Sequence, residues 1–187
     1  MQVVPVHKAL RRLAAGGLSI LALSAAASAQ GTPFCFGDGS GTACPCNNSG
    51  FPGGGCASSS FPGAILSALG TASLASDTLT MRCTLLPFDP SGTAVLFQGS
   101  SATPSGTTLG AGLLCIGGPV RRLGTKSLAT GLFELGPNVG DAALSVLGSI
   151  GGPGTTMNYQ VWYRDVLFGC TQAPFNLSNG LRVTWGA

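Results

Sequence analysis

The sequence predicts an all-β protein: an antiparallel β-sandwich, jelly-roll-like, preceded by a disulfide-rich N-terminal segment. Three observations carry this expectation. Charged residues make up only 8% of the chain while glycine alone supplies 30 residues, a composition of many turns and little helix. Short alternating or apolar runs recur at roughly eight- to twelve-residue spacing between Gly/Pro turns, as in sandwiches and barrels. Four of the seven cysteines crowd into Cys35–Cys56 (CFGDGSGTACPCNNSGFPGGGC), a stretch with almost no apolar periodicity.

The N-terminus sets the compartment. Lys8, Arg11 and Arg12 precede an uncharged Leu/Ala-rich run from Leu13 to Ala29, which ends in the small-x-small pattern Ala27-Ser28-Ala29. That is a secretory signal, with cleavage expected after Ala29. The run is short for a membrane span and is interrupted by Gly16-Gly17, so no membrane association is expected once the signal is removed. The expected organisation is a signal peptide at 1–29, a cysteine/glycine-rich segment at 30–62 and a β-sandwich domain at 63–187. The leader takes with it three of the nine Lys+Arg and the single histidine, His7. Basic and acidic residues of the mature chain then balance, which removes any electrostatic case for nucleic acid.

In the cysteine-rich segment, a Cys44–Cys46 bond would close a strained small ring. Two pairings remain open: Cys35–Cys44 with Cys46–Cys56, or Cys35–Cys46 with Cys44–Cys56. Each loop of roughly ten residues would remove about 2.7 kcal/mol of unfolded-state entropy. Gly37, Gly39, Gly41, Gly53, Gly54 and Gly55 would supply positive-φ turns. A four-thiolate zinc site is the alternative, but the spacing lacks paired C-x2-C knuckles and export favours disulfides.

Strands are expected from Ala64 to Leu69 and from Thr78 to Leu85. In the second, Leu79, Met81, Cys83 and Leu85 share an apolar face. Asp89-Pro90-Ser91-Gly92 turns the chain, and Thr93–Gln98 returns as the partner strand. Gly99–Gly106 reads as an exposed loop. Leu113–Ile116 and Val120–Leu128 read as strands separated by Gly117-Gly118-Pro119, and Leu132–Leu135 as a short one. Asp141–Ile150 fits both helical and strand periods. Thr155–Asp165 and Asn176–Trp185 close the sheets, with Trp185 in the core. Cys115 and Cys170 are expected to staple two distant elements, which leaves Cys83 as a buried free thiol.

Together and in this order, FCFGDGSGTACPCNNSGFPGGGC, LFQG, LLCIGGPVRRL, YQVWYRD and FNLSNGLRVTW resemble a recurrent, uncharacterised exported domain of planctomycete-type bacteria. The likeness spans Phe34 to Trp185. It implies secretion, and it carries no catalytic or binding residues to this chain. Cys83 has no counterpart in that pattern.

The chemistry is bounded by what the mature chain lacks. Without histidine, Ser-His-Asp and Cys-His arrangements and histidine metal sites are excluded. Six carboxylates remain (Asp38, Asp77, Asp89, Glu134, Asp141, Asp165) with no spacing that pairs any two, so neither catalytic residues nor cofactors nor a metal are expected. Asp38-Gly39-Ser40-Gly41 reads as an Asx turn rather than a calcium loop. Asn47 and Asn176 open glycosylation sequons. The binding candidate is one strand face, where Trp162 is in phase with Gln160 and Arg164. An aromatic on a polar face can stack on a sugar ring. The expected function is therefore a secreted, non-catalytic extracellular binding module, with a glycan or cell-surface polymer as its partner. A purely structural module and a carboxylate-dependent hydrolase are the alternatives.

Overall fold

A computed structural model describes residues 1–2, 30–59, 62–166 and 171–187. The expected signal peptide falls almost wholly on 3–29, and Cys170 on 167–170, outside the described residues. Among the described residues nine strands form: β1 (Thr32–Phe34), β2 (Ile65–Leu69), β3 (Thr80–Thr84), β4 (Asp89–Leu109), β5 (Gly112–Leu128), β6 (Phe133–Leu135), β7 (Thr156–Arg164), β8 (Phe175–Leu177) and β9 (Gly180–Thr184). Among the described residues, helix is confined to a 3-10 turn at Pro137–Val139 and to α1 (Leu144–Leu147). This is how the ambiguous stretch at Asp141–Ile150 resolves.

The strands make two antiparallel sheets. The larger runs β1-β9-β7-β4-β5 with β8 also pairing β7, and the smaller runs β2-β3-β6. Alternation places Leu66 and Ala68, Met81 and Cys83, and Phe133 and Leu135 on the inner face of the small sheet. They pack on Ala94, Leu96, Tyr159, Val161, Tyr163, Leu181 and Val183 of the large one. The sandwich expected from the sequence is thus the one observed. Trp185 is buried and donates its indole N–H to the Tyr159 hydroxyl at 3.1 Å.

Four expectations about the strands need correction. Thr93–Gln98 does not return on β3. It lies in β4, between β5 and β7, while β3 pairs with β2 and β6. The chain crosses between sheets just after Leu85, whose φ of 60° ends the strand. That leaves Leu85 exposed, and Leu86 takes the buried position. Residues 99–106 are not a loop but the outer half of β4, polar because beyond Gly99 it pairs with β5 alone, away from the core. Gly117-Gly118-Pro119 does not end a strand. β5 lies at the sheet edge, where a missing proline N–H costs no ladder bond. Finally, 176–185 is two strands, β8 and β9, broken at Ser178-Asn179.

The disulfides also differ from expectation. Cys44 pairs with Cys56, as one local alternative had it, but Cys35 pairs with Cys115. This overturns both local partners for Cys35 and the Cys115–Cys170 bond. Cys46 is also disulfide-bonded. The Cys35–Cys115 link spans 80 residues, worth about 4.5 kcal/mol in the chain-entropy model against about 2.8 for the 12-residue link. The segment is therefore stapled to β5 rather than only to itself, and it contributes β1 to the large sheet. Its glycines serve two purposes. Gly39 and Gly53 take positive φ. Gly55 is required by space, since a Cβ there would overlap the Leu177 carbonyl.

Cys83 is free and fully buried, and burial pushes its thiol far above the ordinary range. Burial likewise raises the hydroxyls of Tyr159 and Tyr163, the chain's two tyrosines. Such a tyrosine leaves stability untouched below its ordinary value near 10. Above it, the unfolded chain releases the proton and the folded chain does not, so stability falls as pH rises. Alkaline titration followed at the tyrosinate absorbance is therefore expected to show no ionisation until the sandwich unfolds, with Cys83 alkylated in the same transition. A smooth titration near pH 10 with the fold intact would contradict this packing.

Candidate functional site

Strand β7 presents two different faces. Tyr159, Val161 and Tyr163 point inward, while Gln160, Trp162 and Arg164 lie on the outer face of the large sheet. The three predicted binding residues share that face, but the structure separates their roles.

Gln160 is buried at 1% exposure, with its amide spent inside the fold. Its Oε1 accepts from the Cys115 backbone N–H at 2.9 Å. Its Nε2 donates to the carbonyls of Leu113 at 2.8 Å and Ser178 at 2.7 Å. It joins β5 to the β8–β9 junction beside the Cys35–Cys115 bond and has no polar atom left for a ligand.

Trp162 is half-buried and stacks on Phe175 of the neighbouring β8, with ring centroids 5.4 Å apart and planes tilted by 35°. Phe175 is held in turn by the tip of the β4–β5 hairpin, where the Ala111 N–H donates to its carbonyl at 3.0 Å. Gly110 there has φ 60° and no room for a Cβ against the Phe175 ring. Beside Trp162 runs a trough of about 190 Å³, walled by apolar side chains of Phe97, Leu114, Ile116, Val120 and Leu177. The Arg122 guanidinium covers the Phe97 ring at 5.8 Å.

Arg164 is exposed and opens onto a second cavity, a cleft of about 330 Å³ lined by Ser59, Pro87, Phe88, Asp89, Ser91, Asp165 and Val166. Asp89 accepts from the Ser91 N–H and hydroxyl at 2.9 and 2.8 Å, bonds that lower its carboxyl below the ordinary range, with Arg164 adding to the effect. Asp165 is buried at 3% exposure. Its Oδ2 accepts from the Ser59 N–H at 3.1 Å, and its Oδ1 has no hydrogen-bond partner among the described residues.

The remaining candidates are structural. Asp38 makes the expected Asx turn, accepting from the Ser40 N–H at 3.0 Å and its hydroxyl, and also from the Gly53 N–H at 3.2 Å. Asp77 holds the N–H groups of Leu79 and Ser145. Asp141 pairs with Lys126 at 2.6 Å, and Glu134 with Arg82 at 3.6 Å. Asn47 is exposed, but Asn176 is fully buried, so its sequon is closed in the folded protein.

Sequence reasoning missed the role of the FNLSN run. Asn176 donates to the carbonyls of Cys56 and Ala57. Ser178 fills the ladder gap between β8 and β9 by accepting from the Val161 N–H at 3.0 Å. Asn179 takes the Leu66 N–H at 2.7 Å and returns a bond to the Leu66 carbonyl at 3.1 Å, crossing between sheets. Three polar residues within four positions of a run expected to be a strand were the available signal.

No family model matches the chain, and no curated protein or solved structure matches it significantly.

Each unpaired buried polar group costs roughly 1–3 kcal/mol. Gln160→Ala strands three backbone groups and is expected to lower stability by roughly 2–4 kcal/mol in urea unfolding, whereas exposed Arg164→Ala should stay within about 0.5 kcal/mol. Equal, small effects would return Gln160 to the ligand-facing role.

Proposed function

We propose that this protein is an exported, non-catalytic binding module that holds a glycan or cell-surface polymer on the outer face of its larger sheet. The observation that carries the reading is the half-buried Trp162, stacked on Phe175 beside an open trough. Arg164 stands two residues further along the same strand. Aromatic faces stack on the apolar face of a sugar ring, and a strand pair fixed by its ladder offers a platform that needs little ordering on binding. Export is supported by the leader pattern and by disulfides suited to an oxidising compartment. Among the described residues no helix is long and apolar enough to cross a membrane. The resemblance to exported planctomycete-type domains agrees with secretion.

A hydrolase reading has one foothold, since Asp89 and Asp165 line the same cleft. Two-carboxylate glycoside cleavage needs one of the pair to hold its proton near neutral pH. The Ser91 bonds lower the Asp89 carboxyl, so Asp89 does not supply that acid.

The test is a printed array of neutral, acidic and amino-sugar oligosaccharides and wall polymers, probed with the mature protein and with Trp162→Ala. Binding by the wild type, lost at least tenfold in the variant and with no new reducing ends released, is the expected result. Absence of binding by the wild type would leave a purely structural module, and release of reducing ends would favour the hydrolase.

A further inference from the structure

The trough beside Trp162 is walled by apolar side chains, and the one amide at its edge, Gln160, is spent within the fold. A surface of that kind holds a ring by stacking but cannot tell one hydroxyl pattern from another. Recognition of a particular sugar needs donors and acceptors next to the platform.

The cleft beyond Arg164 supplies them. Successive residues of a strand rise by about 3.3 Å, so Arg164 lies roughly 6.6 Å along β7 from Trp162, close to the spacing of one sugar unit. On one side the cleft has the exposed Arg164 guanidinium, which only donates. On another it has Asp165, whose Oδ1 is buried and has no partner among the described residues. Buried acceptors are rarely left so, because the cost is paid in full. The terminal torsion of an aspartate is broad, so the carboxylate can turn into the cleft when a donor arrives. Pro87 and Phe88 add an apolar wall, with Phe88 70% exposed.

We propose that this cleft is a saccharide subsite contiguous with the Trp162 platform, in which Asp165 accepts from ring hydroxyls, Arg164 donates to hydroxyl or acetal oxygens, and Phe88 packs on the ring. The inference rests on the glycan reading above and assigns its specificity to this site. The mixed lining decides the ligand class. A guanidinium at the mouth opposes a metal cation, and two carboxylates, Asp89 and Asp165, oppose an anion. A neutral ligand with donors, acceptors and one apolar face satisfies all of them.

The same oligosaccharide array tests this with Arg164→Gln, Phe88→Ala and Asp165→Asn, each checked by thermal melting. Arg164 and Phe88 are exposed, so those two variants keep the fold, and the asparagine retains an acceptor for the Ser59 N–H. Tenfold or greater loss of affinity in Arg164→Gln and Phe88→Ala, with discrimination between epimers of equal length flattened, is the expected result. Trp162→Ala should instead weaken all bound sugars alike. Wild-type affinity and selectivity in both exposed variants, with Trp162→Ala still impaired, would overturn the subsite and leave the platform standing. No binding by the wild type would overturn both.

Discussion

The fold depends on side-chain amides and one hydroxyl doing the work of backbone ladders. Gln160, Asn176, Ser178 and Asn179 are almost completely buried, and each bonds to main chain in another element. Asn179 ties the large sheet to β2 of the small one, Gln160 ties β5 to the β8–β9 junction, and Asn176 anchors the Cys56–Ala57 backbone. The cysteine-rich segment closes its own turns with backbone bonds such as Gly37 N–H to the Gly54 carbonyl, and Asn176 takes up its carbonyls at Cys56 and Ala57. The Cys35–Cys115 bond keeps the two parts together in the unfolded chain. Trp162, Phe175 and the polar cleft beyond remain outside this network.

The division between fold and site follows from the period-two geometry of β7. Its inward residues close the core, and its outward residues change character along the strand. Asn158 and Gln160 are consumed by neighbours, Trp162 is half-buried, and Arg164 is exposed. Outward polarity on a strand is thus no guide to availability where a second layer, here the cysteine-rich segment and the hairpin tip, covers part of the sheet.

Much of this was legible in the residues. Short runs located β2 and β6 and a long β-type run located β7, while alternation located β3, the inward placement of Cys83 and Trp185, and the shared face of Gln160, Trp162 and Arg164. What was not legible depended on contacts far apart in sequence. The 80-residue disulfide competes with nearer thiols that look equally suitable from spacing alone. The polar outer half of β4 looks like a loop because a two-stranded ribbon away from the core needs no apolar face. The buried Asn176, Ser178 and Asn179 look like turn residues because short polar side chains favour turns unless tertiary partners claim them. The cleft was missed because Asp89 and Asp165 are distant in the chain and Asp89 reads as part of a turn, whereas it opens β4.

The two tryptophans differ sharply in environment, which makes the indole N–H groups the most direct probe of the account. Trp185 is sealed in the core with its N–H on Tyr159, and Trp162 sits on the proposed platform. Two-dimensional amide NMR of the mature protein, titrated with an oligosaccharide retained on the array, should shift the Trp162 indole and the Arg164 signals while leaving the Trp185 indole in place. Perturbations confined to another face, with Trp162 unmoved, would contradict the assignment of this face as the binding surface.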